Sequence, residues 1–447
     1  MFKKILIANR GEIALRIVRT CRDLGIKTVA VHSLIDRDSM HVRLADEAVC
    51  IGKSSIKNSY LNSFAILSAA EITNSDAIHP GAGFFSENSE FASMVKQHKI
   101  TFIGPTSEQI KIYGDKINAK KLMKKNKFPV IPGSDGYLNS IEEAKNIAKK
   151  IGYPVILKAG SGGGGKGIRV IKNQKELVSN YVLVKQEVKN SFGNDNVYLE
   201  KFFDNPRHIE IQIVADKKGN IVHLGERDCS IQRNKQKIIE ETPSPSLTET
   251  QRKKICDLVV KTIKKIGYES LGTVELLYKN KKFYFMEMNT RVQIEHTITE
   301  RITGVDLVKQ QIKIAAGQKI SFRQKDIQFS GHSIQCRINA EDPLSFIPSP
   351  GRIEEYHSPG GPGVRIDSAL YAGCIVPHQY DNLISKIIIY SRNRNEAILR
   401  LKRCLIEYVI NGVKTNIPLH LKILNSKDYI KGNYHINWLD KFLSVNY

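Results

Sequence analysis

The first hundred residues alternate short apolar runs with amphipathic ones, and that rhythm limits the fold more than any other feature of the chain. Lys4-Ile5-Leu6-Ile7-Ala8 reads as a strand, Glu12 to Leu24 as a helix ending at Gly25, and Lys27-Thr28-Val29-Ala30-Val31 as a second strand. Ala77-Ile78-His79-Pro80 and Thr101-Phe102-Ile103-Gly104-Pro105 read as later strands that run into turns. Strands that alternate with helices pair in parallel, because the connecting helix carries the chain back to the same edge. The expectation is therefore a doubly wound parallel sheet. The region has no G-x-G-x-x-G, so a dinucleotide site is not supported.

The pattern then changes. A helix over Ile117 to Asn126 leads to Pro132-Gly133-Ser134, and a helix over Ile141 to Ile151 leads to the strand Pro154 to Lys158. A glycine-rich turn and the strand Gly167 to Ile171 complete what reads as a small α+β lid. From Pro206 to about Gly317 the alternation suggests a large antiparallel sheet, with strands His208 to Ala215, Ile221 to Glu226, Thr273 to Tyr278 and Lys282 to Met288. The remainder mixes short strands with a late helix over Asn395 to Ile410.

Two segments carry chemistry. In Lys158-Ala159-Gly160-Ser161-Gly162-Gly163-Gly164-Gly165-Lys166-Gly167, glycines between two strands let backbone N–H groups converge on phosphate oxygens, and lysines add charge. No G-x-x-x-x-G-K-[S/T] opens a helix here, so this is not a Walker A loop. The second segment is Glu287-Met288-Asn289-Thr290-Arg291-Val292-Gln293-Ile294-Glu295-His296. In an extended chain Glu287, Asn289, Arg291, Gln293 and Glu295 share one face and span roughly 25 Å. That reading puts metal ligands at the Glu287/Asn289 end and an anionic substrate near Arg291 to Glu295. Glu275 lies on the preceding strand, and a turn at Lys279-Asn280-Lys281 would set it beside Glu287. Two adjacent carboxylates need a cation between them, either a lysine or arginine or a hard metal ion such as Mg2+ or Mn2+.

These residues resemble the ATP-grasp superfamily and, more narrowly, the biotin carboxylases. The resemblance runs in order through Ala8-Asn9-Arg10-Gly11-Glu12-Ile13-Ala14, His79-Pro80-Gly81, Ser86-Glu87-Asn88, Gly114-Asp115-Lys116, Glu226-Arg227-Asp228-Cys229-Ser230, Arg291 to His296, and Cys336-Arg337-Ile338-Asn339-Ala340-Glu341-Asp342-Pro343. It implies an N-terminal Rossmann-like domain over 1–114, an ATP-grasp domain over 115–317 with a lid at about 131–203, and a C-terminal mixed α/β domain over 318–447. It implies ATP binding by Lys116, Lys158, Gly164, Gly165, Glu200, Lys201, Phe202, Phe203, His208, Gln232, Lys235, Glu275 and Glu287. The Glu200 to Phe203 run would meet adenine through its backbone and edges, and the lid would close to keep water from a labile intermediate. Glu275, Glu287 and Asn289 would hold Mg2+ or Mn2+, with two sites expected.

Lys237, Arg291, Gln293 and the backbone at Ile294 would hold bicarbonate. Glu295 would be the general base and Arg337 would stabilise the biotin enolate, or else form an ion pair with Glu341 or Asp342. The product implied is carboxybiotin on a biotin carboxyl carrier protein, serving carboxyltransferase subunits of an acetyl-CoA carboxylase that opens fatty-acid synthesis. A pyruvate or propionyl-CoA carboxylase, another ATP-grasp ligase, and a nucleotide-binding subunit without turnover are the alternatives. No biotinyl Met-Lys motif is present near the C-terminus, so biotin is expected on a separate carrier. A homodimer is implied, with Arg19 and Arg365 on its contact surface. Three positions depart from the family pattern: Ala82 for tyrosine, Lys235 for histidine, and Gln335 for glutamate.

Composition narrows the classes. The formal charge of +23 is spread along the chain rather than gathered in a block, which fits solvated helix faces better than nucleic-acid binding. The seven cysteines are scattered without a C-x-x-C pair, which argues against disulfides or structural zinc and fits a reducing cytoplasm. Cys229 is expected to be a small buried neighbour of the site, and His296 either a tuner of Glu295 or a structural histidine. No apolar stretch is long enough to span a membrane.

Overall fold

The computed structural model describes residues 1–160 and 167–446. Its first sheet has five parallel strands, in the order Glu47–Gly52, Lys27–Ser33, Lys4–Ile7, Ala77–His79, Thr101–Phe102. Both faces are covered. Ile5 and Ile7 enter one core with Ile13 and Ile17 of the helix Gly11–Asp23, and Leu6 and Ala8 enter another with Ile66 and Leu67. Alternate residues of one strand thus feed two cores, as a doubly wound sheet requires. The strand order reverses between Lys4–Ile7 and Ala77–His79, which opens a crevice at their carboxyl ends. Asn9 bridges that crevice, its amide nitrogen donating to the carbonyls of Pro80 (2.7 Å) and Ala82 (2.9 Å). Gly81 has φ +66°, and a Cβ there would come within 2.8 Å of the Asn9 amide nitrogen. Only glycine fits.

The expected lid is a three-stranded antiparallel sheet, Ile168–Ile171, Val155–Ala159, Val197–Lys201. It is backed by the helices Ile141–Ile151 and Gln174–Phe192. The second helix escaped the sequence reading. Val178, Val182 and Leu183 are exposed on it, so its apolar residues do not keep to one stripe. Its ends are nevertheless marked, by the Asn173 side chain accepting from Glu176 N–H and by Gly193 in the left-handed conformation.

The third sheet has eight antiparallel strands, in the order Lys282–Asn289, Ser270–Lys279, Arg207–Ala215, Ile221–Arg233, Gln236–Thr242, His332–Asn339, Leu383–Ser391, Val364–Ser368. It runs without a break past residue 317, because Gln236–Thr242 pairs with His332–Asn339 in the register Ile239 opposite Cys336. Two expectations need correction. The strand beginning at Ile221 extends to Arg233, since Gly225 (φ +80°) lies within a register shift that breaks the alternation without ending the strand. The late helix spans Arg394–Glu407, and Val409–Ile410 pairs with Tyr356–His357 as a short strand. The aromatic and β-branched run Tyr408-Val409-Ile410 suits an edge strand better than a helix end. Among the described residues no helix is long and apolar enough to cross a membrane.

Candidate active site

The site is built on the hairpin Ser270–Lys279/Lys282–Asn289. Its two-residue turn places Asn280 and Lys281 at φ 50° and 61°, the conformation that matches the twist of paired strands. The turn sets the register, and the register puts Glu275 opposite Glu287 and Thr273 opposite Asn289. The extended chain does not continue to Glu295. It leaves the sheet after Asn289 and turns into the helix His296–Thr303. Asn289 Nδ2 (2.7 Å) and Gln293 Nε2 (2.9 Å) therefore both donate to Oε1 of Glu275. This corrects the expectation of one extended face reaching from Glu287 to Glu295, because the turn brings Asn289 and Gln293 onto one carboxylate. Glu87 secures the turn, accepting from Thr290 N–H (2.9 Å) and Arg291 Nε (2.8 Å). Arg291 Nη2 reaches Asn289 Oδ1 at 3.0 Å.

Lys237 stands at the centre. Its ammonium bonds Glu210 Oε2 at 2.6 Å, Glu275 Oε1 at 2.9 Å and Glu295 Oε1 at 2.6 Å. Burial opposes its charge, but Glu210, Glu275 and Glu295 hold its pKa well above the ordinary lysine range. Burial would likewise raise Glu275, yet Lys237 and His208 hold it well below the carboxylate range. His208 Nε2 lies 3.0 Å from Glu275 Oε2, and Gln232 Nε2 lies 2.8 Å from His208 Nδ1. Glu287 pairs with Lys116 at 2.9 Å. Lysines therefore balance both carboxylates. Carboxylate oxygens on paired strands are hard donors of the kind Mg2+ or Mn2+ takes, while Asn289 turns its amide nitrogen to Glu275 and its oxygen to Arg291.

Glu210 was not singled out from the sequence, although a signal existed. His208, Glu210 and Gln212 are polar at every second position of an otherwise apolar strand, and all three are buried. Arg227 was quoted only as part of a motif. It has no exposed side-chain surface and bonds Glu210 Oε1 (2.5 Å), Gln212 Oε1 (2.8 Å), Thr299 Oγ1 (3.0 Å), Thr273 Oγ1 (3.2 Å) and Gln293 Oε1 (2.6 Å). The last bond turns the Gln293 amide so that its NH2 faces Glu275. Replacing Arg227 by methionine is expected to cost about 3–5 kcal/mol, because it strands buried acceptors in the core. Chemical denaturation checks this, and a cost under about 1 kcal/mol would contradict it.

On the nucleotide side the structure gathers most of the expected residues. Lys158 bonds Glu200 Oε2 (2.8 Å), and Lys120 bonds the other oxygen (2.9 Å). Burial would raise Glu200, but these two lysines hold it below the usual range. Lys116 opens the helix Lys116–Lys125, which is capped by the Asp115 carboxylate accepting from the N–H groups of Ile117 and Asn118. Lys235 lies on the two-residue turn between Ile221–Arg233 and Gln236–Thr242, and its pKa is lowered by burial and then by Lys158 and Lys116. Lys235, Lys158 and Lys116 therefore lie near enough for their charges to oppose one another, with Lys158 and Lys116 each paired to a carboxylate. Lys201 is tied to its own domain. Its ammonium donates to the carbonyls of Gly152 and Tyr153, and the amides of Lys201 and Phe202 donate to Pro132 and Pro154. Phe203 packs its ring 4.6 Å from that of Tyr284. Gly164 and Gly165 lie outside the described residues.

Glu295 is the last piece. Its Oε1 meets Lys237 and its Oε2 meets Arg337 Nη2 at 3.1 Å. Burial would raise its pKa, but Lys237, Arg337 and Arg227 hold it well below the carboxylate range. Arg337 does not pair with Glu341 or Asp342. Those carboxylates accept instead from Asn339 and Asn382, and from Lys414, while Arg337 Nε bonds Glu240 at 2.6 Å. The Ile294 carbonyl accepts from Lys386, a wholly buried lysine whose Nζ is 2.9 Å from Glu12 and which sequence reasoning missed. His296 is structural: its Nδ1 is 2.7 Å from the Gln293 carbonyl, and burial holds its pKa far down, so the ring stays neutral. Cys229 is fully buried, and burial pushes its thiol far above the reactive range.

Comparison with known proteins gives one consistent result. Residues 1–110 match the family described as "Biotin carboxylase, N-terminal domain", residues 115–323 "Carbamoyl-phosphate synthase L chain, ATP binding domain", and residues 335–441 "Biotin carboxylase C-terminal domain". The chain is 54% identical to the biotin carboxylase of Haemophilus influenzae over 447 residues, covering 100% of both. It is 51% identical to a pyruvate carboxylase subunit of Methanothermobacter thermautotrophicus, covering 99% of this chain and 90% of that one. The biotin carboxylase domain dimer of Hydrogenobacter thermophilus 2-oxoglutarate carboxylase, solved with MgADP, ADP and bicarbonate, superposes with a TM-score of 0.95. That match is 49% identical and covers 100% of this chain and 98% of that one.

Proposed function

This chain belongs to the biotin carboxylase family and is an ATP-dependent enzyme of that activity, and from that premise we propose how its residues divide the work and which acceptor it serves. The observation that carries the division is Glu295 held between Lys237 and Arg337. Residues 115–317 form the nucleotide-binding unit, closed by the lid at about 131–203. Lys116, Lys158, Lys235 and His208 face ATP. Glu275, Glu287 and Asn289 hold Mg2+ or Mn2+, which offsets phosphate charge during transfer.

Bicarbonate enters against Lys237, Arg291, Gln293 and the backbone at Ile294. An anion there competes with Glu295 for the same cations, which raises the proton affinity of Glu295 and makes it a better base. Glu295 takes the bicarbonate proton, and the freed oxygen attacks the γ-phosphorus, giving ADP and carboxyphosphate. Carboxyphosphate breaks to CO2 and phosphate. Phosphate takes the N1′ proton of biotin, N1′ adds to CO2, and Arg337 balances the charge that develops on the ureido oxygen. Ala82 and Lys235 replace the aromatic and imidazole groups usual in the family, and neither occupies a bond-making position in this scheme.

Biotin arrives on a carrier protein, two copies of the chain pair, and the acceptor downstream is acetyl-CoA. The full-length likeness to a relative named biotin carboxylase supports the acetyl-CoA reading. The likeness to a pyruvate carboxylase component supports the second reading, pyruvate. Purified enzyme, Mg-ATP, bicarbonate and the biotinylated carrier of the same source, with its carboxyltransferase, are mixed with either acceptor. Biotin-dependent ADP release with malonyl-CoA formation is expected. Oxaloacetate without malonyl-CoA would move the acceptor to pyruvate, and no biotin-dependent ADP release would reduce the chain to a nucleotide-binding subunit.

A further inference from the structure

Arg337 is held at two edges, and only one of its partners takes part in the scheme above. Its Nη2 faces Glu295, while its Nε donates to Oε1 of Glu240 at 2.6 Å. Glu240 lies on Gln236–Thr242, directly opposite Gln335 of His332–Asn339, and its side chain has no exposed surface. Its second oxygen accepts from Gln335 Nε2 at 3.0 Å. The Thr297 hydroxyl donates to the oxygen of the same Gln335 amide. Thr297 is two residues beyond Glu295, so the series Thr297, Gln335, Glu240, Arg337, Glu295 returns to the segment where it began. Such a closed series allows each member one orientation.

A guanidinium carries its five N–H groups in a fixed plane, so a carboxylate on the Nε edge determines where the two Nη groups point. A glutamine amide donates to Glu240 at any pH, whereas a glutamic acid does so only while protonated. We propose that Glu240, itself oriented by Gln335, is a positioning residue for the biotin half of the reaction, holding Arg337 by its Nε edge so that its Nη groups meet the ureido oxygen of biotin. The proposal rests on the reading of Arg337 as the group that faces biotin.

The test is Glu240→Gln, with folding checked by circular dichroism and thermal unfolding. Packing should survive, because Gln335 can turn its amide over and Thr297 can accept instead of donate. ADP release is measured with Mg-ATP and bicarbonate, first without and then with free biotin. The glutamine oxygen still accepts from Arg337 Nε but without a charge to grip it, so the biotin-stimulated kcat is expected to fall about five- to tenfold, the difference between a charged and a neutral acceptor. Biotin-independent ADP release should fall far less. A second variant exchanges the pair, Glu240→Gln with Gln335→Glu, which restores the net charge but moves the carboxylate off Arg337, and it should stay low. An unchanged biotin-stimulated rate, an equal fall in both reactions, or recovery in the exchanged pair would each overturn the proposal. Absence of biotin stimulation in the unsubstituted enzyme would instead remove the function on which it rests, and the proposal with it.

Discussion

Replacing Glu295 by glutamine is expected to lower biotin-stimulated ADP release by about 10²- to 10⁴-fold, the range spanned by loss of a general base. Glutamine keeps the shape and keeps an oxygen for Arg337, so the change removes charge and basicity with little else. Lys237 is not orphaned, because Glu210 and Glu275 remain bonded to it. Nucleotide binding should persist, since Lys116, Lys158 and Glu200 pair elsewhere. Steady-state kinetics together with a nucleotide-binding titration check both halves. A rate within tenfold of the parent would sink the assignment of Glu295 as base.

Arg337→Met should remove biotin stimulation by about 10²- to 10³-fold, the cost of deleting one charge-stabilising donor. It should also destabilise the fold by about 3–5 kcal/mol, because Glu240 and Glu295 both lose a buried partner. The pH dependence of that gap has a definite sign. The folded pKa of Glu295 is held below its unfolded value, so the stabilisation is present above about pH 4.3 and is lost as pH falls through the folded pKa. The difference between parent and variant should therefore shrink on acidification. Arg337→Lys separates the two effects. It restores charge, and with it part of the stability, but one ammonium cannot present the planar fork that spans Glu240 and Glu295. Stability should recover more than rate does. Equal recovery of both would show that only charge matters at this position.

Much of the site was legible before the structure, and the legible parts share a cause. The Glu275/Glu287 pairing follows from a short turn between two alternating runs, and a two-residue hairpin leaves little freedom of register. The parallel sheet and the lid follow in the same way from local period and glycine punctuation. Where the local pattern broke, the reading broke with it. The bulge at Gly225 ended a strand too early, the scattered apolar residues of Gln174–Phe192 hid a helix, and the chain turns after Asn289 although its polar alternation runs on to Glu295.

By itself the sequence determined the βαβ start, the lid, the hairpin that carries Glu275 and Glu287, and the ordered motifs that place the chain in its family. All of these depend on neighbours a few residues apart. Only the tertiary structure decided which buried charge meets which. Arg227 and Gln293 are 66 positions apart, Glu240 and Arg337 97, and Lys386 and Ile294 92. A period of two tells which face a side chain takes but not which distant strand will lie beside it. In a low-dielectric interior that unknown is large, because a buried ion must find a partner to be tolerated there. The partners of Glu210, Glu240, Arg227 and Lys386 therefore became visible only when strands far apart in the chain had been laid side by side.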